Sequence, residues 1–477
     1  MTDPKIYELV RERNTDGIFQ LESDLFKATI KEMQPTEIHD IIALTALCRP
    51  GPLSAKMHLA YSHRKNGLED ISYPIRGCED FLRQTFGVIC YQEQLMQVSK
   101  TVSGFDDGQA DSLTRKVTAK KKQDQMEMLR RCHIYGKRNC EGPEGWESNE
   151  KAPWYDVAGK YGNEISGALA NGYTEQEMNE YWQSILGFAS YAFNLSHAST
   201  YSYISVLELW LKVYYPTEYM AALLSVQTEE EKRKKYINIC RKMGIKISCP
   251  DINISEDIFT PKDNTILYSL NSIKNVGDKA LEEIFANKPY SSLEDLLEKV
   301  PKRILNKRVI TRLIEAGALD CFDDNRYRLI NKMYELRKLK DERFDEAEYD
   351  KEACDIMETE SLGTCITNVP FWETINEKEK VAENATIDKI RKHYDKKGKE
   401  MAFMEITMNK CKISAIVFSK LYGSLKAPLE IGETYMIIGE KTDKGDLLVS
   451  KIIPSVKQEP AMNPFSEDFN FELVMPF

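Results

Sequence analysis

A chain of 477 residues is too long for one ordinary hydrophobic core, so its length predicts roughly two to four domains. Hydrophobic residues are 42% of it, but no run of about 18 unbroken apolar residues occurs and the opening MTDPKIYELVRERNTDG is charged from its start; no membrane-spanning helix or secretory signal is expected, and a cytoplasmic location is. The net charge of -10 argues, taken alone, against a nucleic-acid binder, and 11 scattered cysteines without a CxxC pair read as reduced thiols rather than a disulfide framework or zinc ribbon.

Residues 1–225 read as mainly helical, with apolar-periodic stretches such as IIALTALC (41–48) and ISVLELWLKVYYPTEYMAALLSV (204–226). Pro216 interrupts the second, which predicts two packed helices. Residues 142–167, rich in Gly, Pro, Trp and charge, read as an irregular insertion, and EEEKRKK (229–235) as a solvated helix. Short helices and turns follow to about residue 340. The charge is unevenly placed: residues 114–138 hold nine Lys or Arg against two acids, residues 299–312 six against none, and residues 341–360 ten acids against two basic residues. Local basic patches on an acidic body suit a protein that holds a phosphate chain in one groove and repels it elsewhere, although such runs are also ordinary solvated helix faces. From 402 to 453, AFMEITM, KISAIVF, TYMIIGE and DLLVSKII alternate with period two between turn residues, predicting a small antiparallel barrel or sandwich. The last residues, NPFSEDFNFELVMPF, read as a tail with aromatic anchors.

Several segments carry more than helix packing requires: GIFQLES (17–23), ALCRPGPL (46–53), FGVICYQEQLMQV (86–98), SGFDDGQADSLTRKVTAKKK (103–122) and FNLSHASTYS (193–202). They continue as PDIN (250–253), YSLNSIKNVG (268–277) and LNKRVITRLIEAGALD (305–320). In this order and spacing they are similar to the DNA polymerase III alpha subunit (family C DNA polymerase) family, in its fingers, helix-hairpin-helix and OB-like regions. The resemblance implies a multidomain, mainly α chain with a small C-terminal antiparallel β barrel. Its expected parts are a fingers domain at 1–235, a helix-hairpin-helix duplex-binding region at 236–340, an acidic linker at 341–400, an OB-like domain at 401–456 and a flexible tail at 457–477.

Polymerization sets a triphosphate of about four negative charges beside a primer terminus, and the protein's task is to neutralize and align it. Arg115 and Lys116, followed a turn later by Lys120, Lys121 and Lys122, can present a row of cations on one helix face. The family has an Arg-Arg pair and lysines over the incoming nucleotide's phosphates; Lys116 here keeps the second charge and loses the fork. Arg49 sits on a rigid turn before Pro50-Gly51-Pro52, and Asn194, Ser196 and His197 can donate to phosphate or sugar oxygens, with packing the rival role for His197. Tyr91, Gln92 and Glu93 are expected to support the fold. In the hairpin at 272–285, Gly277 is expected to supply the tight turn and Lys274, Asn275 and Lys279 to face a duplex phosphate, with Lys307 and Arg308 beyond; a plain helical hairpin is the alternative. The family's other hairpin glycines appear as Ser269, Asn271 and Asn275. The barrel is expected either to bind single strands or to make protein contacts, and its aromatics, Phe403, Phe418, Tyr422 and Tyr435, are few. Leu473, Met475 and Phe477 resemble a sliding-clamp-binding peptide, against a disordered or self-docking tail.

Family members carry their metal-binding aspartates in a palm upstream of the fingers, and neither Asp106-Asp107 nor Asp323-Asp324 has that context. No catalytic residue and no metal site is therefore expected in this chain; Cys132, His133 and Cys140 are too irregular a set for one. Mg²⁺ is expected to be held mainly by a palm-bearing partner chain, with primer-template DNA, dNTP and the sliding clamp as further partners and no membrane. A natural split of the polymerase, as in a phage or other mobile element acting in the bacterial or infected-host cytoplasm, or a truncated gene would account for the missing palm. The expected function is part of a replicative DNA-directed DNA polymerase, a nucleotidyltransferase inactive alone; the alternative is a noncatalytic DNA-binding or clamp-binding accessory protein.

Overall fold

The computed structural model describes residues 2–115, 123–136, 165–186, 192–368, 371–375, 379–409, 411–425, 427–442 and 445–454. The expectations for Lys116, Lys120, Lys121 and Lys122, for Cys140, for most of the 142–167 insertion and for the tail lie outside the described residues. The chain forms two compact units, one of Met1–Ile247 and Ser255–Asn271, the other of Ser248–Ile254 and Ser272–Phe477.

The first unit is helical around Ile38–Leu47, in which every residue from Asp40 to Leu47 is buried. A helix apolar on all faces belongs at the centre of a bundle. Its one carboxylate is satisfied there: Asp40 accepts from the Thr36 amide at 2.7 Å and the Tyr61 hydroxyl at 3.1 Å, with Lys65 Nζ at 3.4 Å. The helix Leu195–Tyr214 packs across it. Pro216 acts as its spacing predicts, opening a new helix, Pro216–Val226, at a first-turn position where a missing N–H costs nothing. The helix Glu230–Lys242 ties back to the start of the unit, since Tyr236 donates to Glu22 at 2.9 Å and Lys235 reaches both Asp16 and Glu22. The first unit accordingly runs past residue 235, the boundary expected for the fingers. It also holds a small sheet of β1 (Lys246–Ser248), β2 (Thr260–Lys262) and β3 (Thr265–Leu267) in the order β1-β3-β2.

The second unit contains the helices Asp278–Ala286, Leu293–Lys299, Lys307–Glu315 and Arg326–Leu336. The acidic stretch that follows is not a linker. Its helix Lys351–Leu362 sends Glu358, fully buried, to Arg326 Nη2 at 3.1 Å, while Arg326 also grips Asp320 at 2.8 Å and the Glu315 carbonyl at 3.0 Å. Burial opposes the charge of both groups, but the carboxylates around Arg326 outweigh it and raise its pKa. Hydrogen bonds from Thr367 and Ile366 together with Arg326 hold Glu358 below its ordinary value. Gly317, at φ +80°, leaves room for this group, since a Cβ there would stand 2.4 Å from Arg326 Nη2.

Residues 380–454 close a five-stranded barrel of β4 (Lys380–Tyr394), β5 (Glu400–Met408), β6 (Cys411–Val417), β7 (Thr434–Lys441) and β8 (Leu447–Pro454), in the order β4-β5-β6-β8-β7. After β6 the chain crosses over by the short helix Ser419–Tyr422 so that β7 pairs with β4, leaving β8 to fill the gap beside β6 as the one parallel pair. This is an OB-like barrel. It begins some twenty residues before the expected boundary, because β4 occupies sequence read as linker.

Candidate functional site

In the first unit the separate motifs converge at the start of the helix Leu195–Tyr214. Residues Cys90 to Gln92 run alongside Phe193: the Gln92 amide donates to the Phe193 carbonyl at 2.9 Å and the Phe193 amide to Cys90 at 3.2 Å. This brings Glu93 to the helix end, where its carboxylate accepts from Asn194 Nδ2 at 3.1 Å and the Leu195 amide at 2.9 Å. Glu93 thus supports the fold by holding Asn194. Asn194 caps the helix, its Oδ1 accepting from the His197 amide at 2.9 Å and the Ser196 hydroxyl at 2.6 Å. Arg49, extended and followed by Pro50 at the first position of a short helix, lays its guanidinium 3.5 Å from the centre of the Phe193 ring. Partial burial draws its pKa below the ordinary value. The His197 ring meets Phe193 edge-on at 5.1 Å and Tyr201 at 4.3 Å, and Tyr201 meets Phe19 at 5.4 Å.

Phe19 belongs to the first motif, and the fold holds its backbone from both sides: its amide donates to Glu208 at 2.6 Å and its carbonyl accepts from Ser205 at 2.9 Å. Gly17 precedes it at φ +76°, and a Cβ there would strike Leu223 at 2.4 Å. Arg49, Asn194, Ser196 and His197 are therefore brought together. The aromatic members Phe19, Phe193 and Tyr201 were not singled out from sequence, although rings at 197 and 201 keep the four-residue spacing of one helix face, and Phe193 stands just before the helix cap.

The basic segment is anchored at both ends. Before it, the helix Gln92–Ser103 and the π-helical turn Ala110–Arg115 meet the helix Gln123–Tyr135 that follows it around a buried His133. Its Nδ1 lies 3.0 Å from Ser103 Oγ, and its Nε2 lies 3.2 Å from Ser99 Oγ and 3.5 Å from Thr114 Oγ1. Burial lowers its pKa to about 3, so the ring is neutral and its nitrogens are taken by hydroxyls. The Arg115 side chain, like Lys116 and Lys120 to Lys122, lies outside the described residues. Asp106 caps Gln109 at 2.7 Å and Asp107 pairs with Lys100 at 2.6 Å.

In the second unit the hairpin turn differs from expectation in one particular. The left-handed residue is Asn275, at φ +65°, whose side-chain oxygen accepts from Arg308. Gly277 is extended, at φ -93°, and precedes the helix Asp278–Ala286 with nothing within 4 Å of a built Cβ. The tight turn is thus made by Asn275, which tolerates that backbone, while Gly277 leaves the approach to the helix start open. Lys279 is exposed on the first turn and the Lys274 amide donates to Ser361 at 2.9 Å. Lys307 pairs with Asp341 at 2.5 Å and stands 5.1 Å over Tyr334.

A family model described as the bacterial DNA polymerase III alpha subunit finger domain matches residues 1–139, and a helix-hairpin-helix motif model matches residues 244–329. The DNA polymerase III subunit alpha of Aquifex aeolicus (strain VF5) is 32% identical over 466 residues, 92% of this chain and 37% of the relative. That of Bacillus subtilis (strain 168) is 30% identical over 494 residues, 94% of this chain and 41% of the relative. The chain belongs to the bacterial DNA polymerase III alpha family. The protein of the same name from Thermus aquaticus is 36% identical over 335 residues, 68% of this chain and 25% of that relative. The first two relatives show that this family member spans about two fifths of their length.

Among the described residues no group of three or more His, Cys, Asp or Glu side chains could hold a metal ion, and the carboxylates beside the site, Glu93 and Glu208, are committed to backbone amides. The described residues therefore do not fit the Mg²⁺ that polymerization requires. Among them, too, no helix is long and apolar enough to cross a membrane.

Proposed function

We propose that this chain is the nucleotide-gripping and duplex-holding part of a replicative DNA-directed DNA polymerase, adding dNTPs to a primer 3' end in an assembly with a palm-bearing polypeptide that holds Mg²⁺. The observation that supports this best is the convergence of Arg49, Asn194, Ser196 and His197 around Phe193. Glu93 already takes the Leu195 amide, so the phosphate ligands here are side chains rather than the helix end itself. Stacking on Phe193 fixes the plane of the Arg49 fork before a nucleotide arrives, which lowers the cost of aiming it. Arg115, Lys116, Lys120, Lys121 and Lys122 add the remaining neutralizing charge. In this role the chain forms no covalent bond and moves no proton; its contribution is placement and electrostatics.

Lys274, Asn275, Gly277, Lys279, Lys307 and Arg308 hold the duplex backbone without reading sequence. Lys307 must exchange Asp341 for a phosphate to take part. The barrel receives a single strand or a protein neighbour, and Leu473, Met475 and Phe477 reach a sliding clamp. The assembly works in the cytoplasm.

Primer extension by the purified chain, by the palm-bearing polypeptide and by both together tests the reading. Synthesis is expected only from the pair, with Arg115→Ala raising the KM for dNTP. Synthesis by this chain alone would sink the assembly, and a stable complex without synthesis would leave an accessory protein.

A further inference from the structure

Past the helix Arg326–Leu336 the chain turns at Lys338, at φ +54°, and runs back along that helix as an exposed strap, DERFDEAEYD (341–350), with six acids against one arginine. Side chains of the helix hold it there. Asn331 grips the Phe344 backbone in both directions, its Oδ1 accepting from the amide at 3.0 Å and its Nδ2 donating to the carbonyl at 2.9 Å. The Phe344 ring stacks on Tyr327 at 4.6 Å, Tyr349 meets the same ring at 5.4 Å, and Glu346 accepts from Arg328 at 3.3 Å. Between these anchors and the turn at Lys338 lies a short exposed span, and its first acid, Asp341, reaches Lys307 Nζ at 2.5 Å.

Lys307 opens the helix Lys307–Glu315, and its neighbour Arg308 donates to Asn275 in the hairpin turn. Asp341 therefore stands at the edge of the surface proposed for the duplex backbone. Lys307 does not owe its place to Asp341 alone, because its ammonium also lies 5.1 Å over the Tyr334 ring, which meets Arg343 at 5.7 Å as well. The cation can thus change its anionic partner while the ring keeps it in position.

We propose that the strap is an autoinhibitory arm: Asp341 occupies Lys307 in place of a DNA phosphate and swings away when a duplex binds. The inference rests on the duplex-holding role proposed for Lys307 and adds a regulator to it. A carboxylate offers an ammonium the same kind of charged acceptor as a phosphate oxygen. The anchors hold Phe344, Glu346 and Tyr349 rather than Asp341, so the span before them can move while the rest of the strap stays docked. Both partners are exposed and such a pair is weak, so a duplex that also engages the hairpin turn displaces Asp341 readily. An anion that reaches only Lys307 has to compete for it alone. The arm thereby taxes every binding event and favours ligands that cover the whole face.

The test is binding of the full chain to two labelled duplexes of unrelated sequence, read by fluorescence anisotropy for the parent, Asp341→Asn, Lys307→Ala and the double variant. Both positions are exposed, so each variant is expected to melt with the parent, and Asp341→Ala serves if Asp341→Asn does not. Asp341→Asn should bind both duplexes about 1.5- to 5-fold more tightly at low salt, the range of an exposed ion pair, and the gain should fade as salt is added. With Lys307→Ala already in place the same change should give no gain. An equal gain with and without Lys307 makes Asp341 a source of general repulsion and overturns the arm. Weaker binding by Lys307→Ala beside unchanged binding by Asp341→Asn also overturns it, and leaves the duplex-holding role standing. If both single variants bind as the parent does, the arm and the role of Lys307 fall together.

Discussion

Arg49 rests its guanidinium on the face of Phe193, 3.5 Å from the ring centre, although the two residues belong to motifs far apart in sequence. The contact is worth about 0.5 to 2 kcal/mol at a partly desolvated site. Phe193→Leu keeps the apolar volume and removes the ring. In the reconstituted polymerase it should raise the KM for dNTP several-fold, and because the ring packs in the chain without nucleotide it should also cost up to about 0.5 to 2 kcal/mol of stability; steady-state kinetics at varied dNTP concentration and urea unfolding check the two effects.

The buried group of Arg326, Asp320 and Glu358 carries a stability prediction. Glu358→Gln leaves Arg326 short of one charge in a dry site, and removing one partner of such a pair costs about 3 to 5 kcal/mol. Urea unfolding of the second unit should show that loss. An effect below about 1 kcal/mol would mean that residues 351–362 do contribute only a tether.

His133 gives a pH dependence of definite sign. In the folded chain it stays neutral down to about pH 3, whereas an unfolded imidazole takes a proton near pH 6.5. Between those values the unfolded state binds more protons, so stability falls as pH falls, by up to about 1.4 kcal/mol per unit. His133→Gln should flatten the decline between pH 6.5 and 5, a window above most carboxylate titrations. Unfolding curves at several pH values, parent against variant, measure the difference in slope.

At the hairpin, Gly277→Ala separates folding from binding. A Cβ at this extended residue meets nothing within 4 Å, so the variant should melt with the parent. If a duplex phosphate approaches the helix start, the methyl group will obstruct it and weaken duplex binding on any sequence. Lys279→Ala should do so by another route, lowering the slope of log affinity against log salt by about 0.9. Fluorescence anisotropy with an unrelated pair of duplexes reads both effects.

The sequence made the helical first half, the break at Pro216 and the later barrel strands legible because each has a strong local signal. Two features escaped. β4 was hidden by its composition: in KVAENATIDKIRKHY the outward positions before the bulge are Lys380, Ala382, Asn384 and Thr386, and half-buried Glu383 interrupts the inner set of Val381, Ala385 and Ile387, so the alternation is faint. Glu358 was counted as one more acid in a solvated run, because a charge says nothing of its partner until Arg326 is seen beside it. At the site, the polar residues stood out by motif, whereas Phe19 and Tyr201 gained meaning only when tertiary folding set them around His197. The turn at Asn275 was misplaced to Gly277 for a related reason, since glycine is the commoner left-handed residue but not the only one.

Thr114 and His133, nineteen positions apart, meet across 3.5 Å. The neutral ring therefore fastens the turn Ala110–Arg115 to the helix Gln123–Tyr135, so that one side chain pins two elements on either side of the basic run.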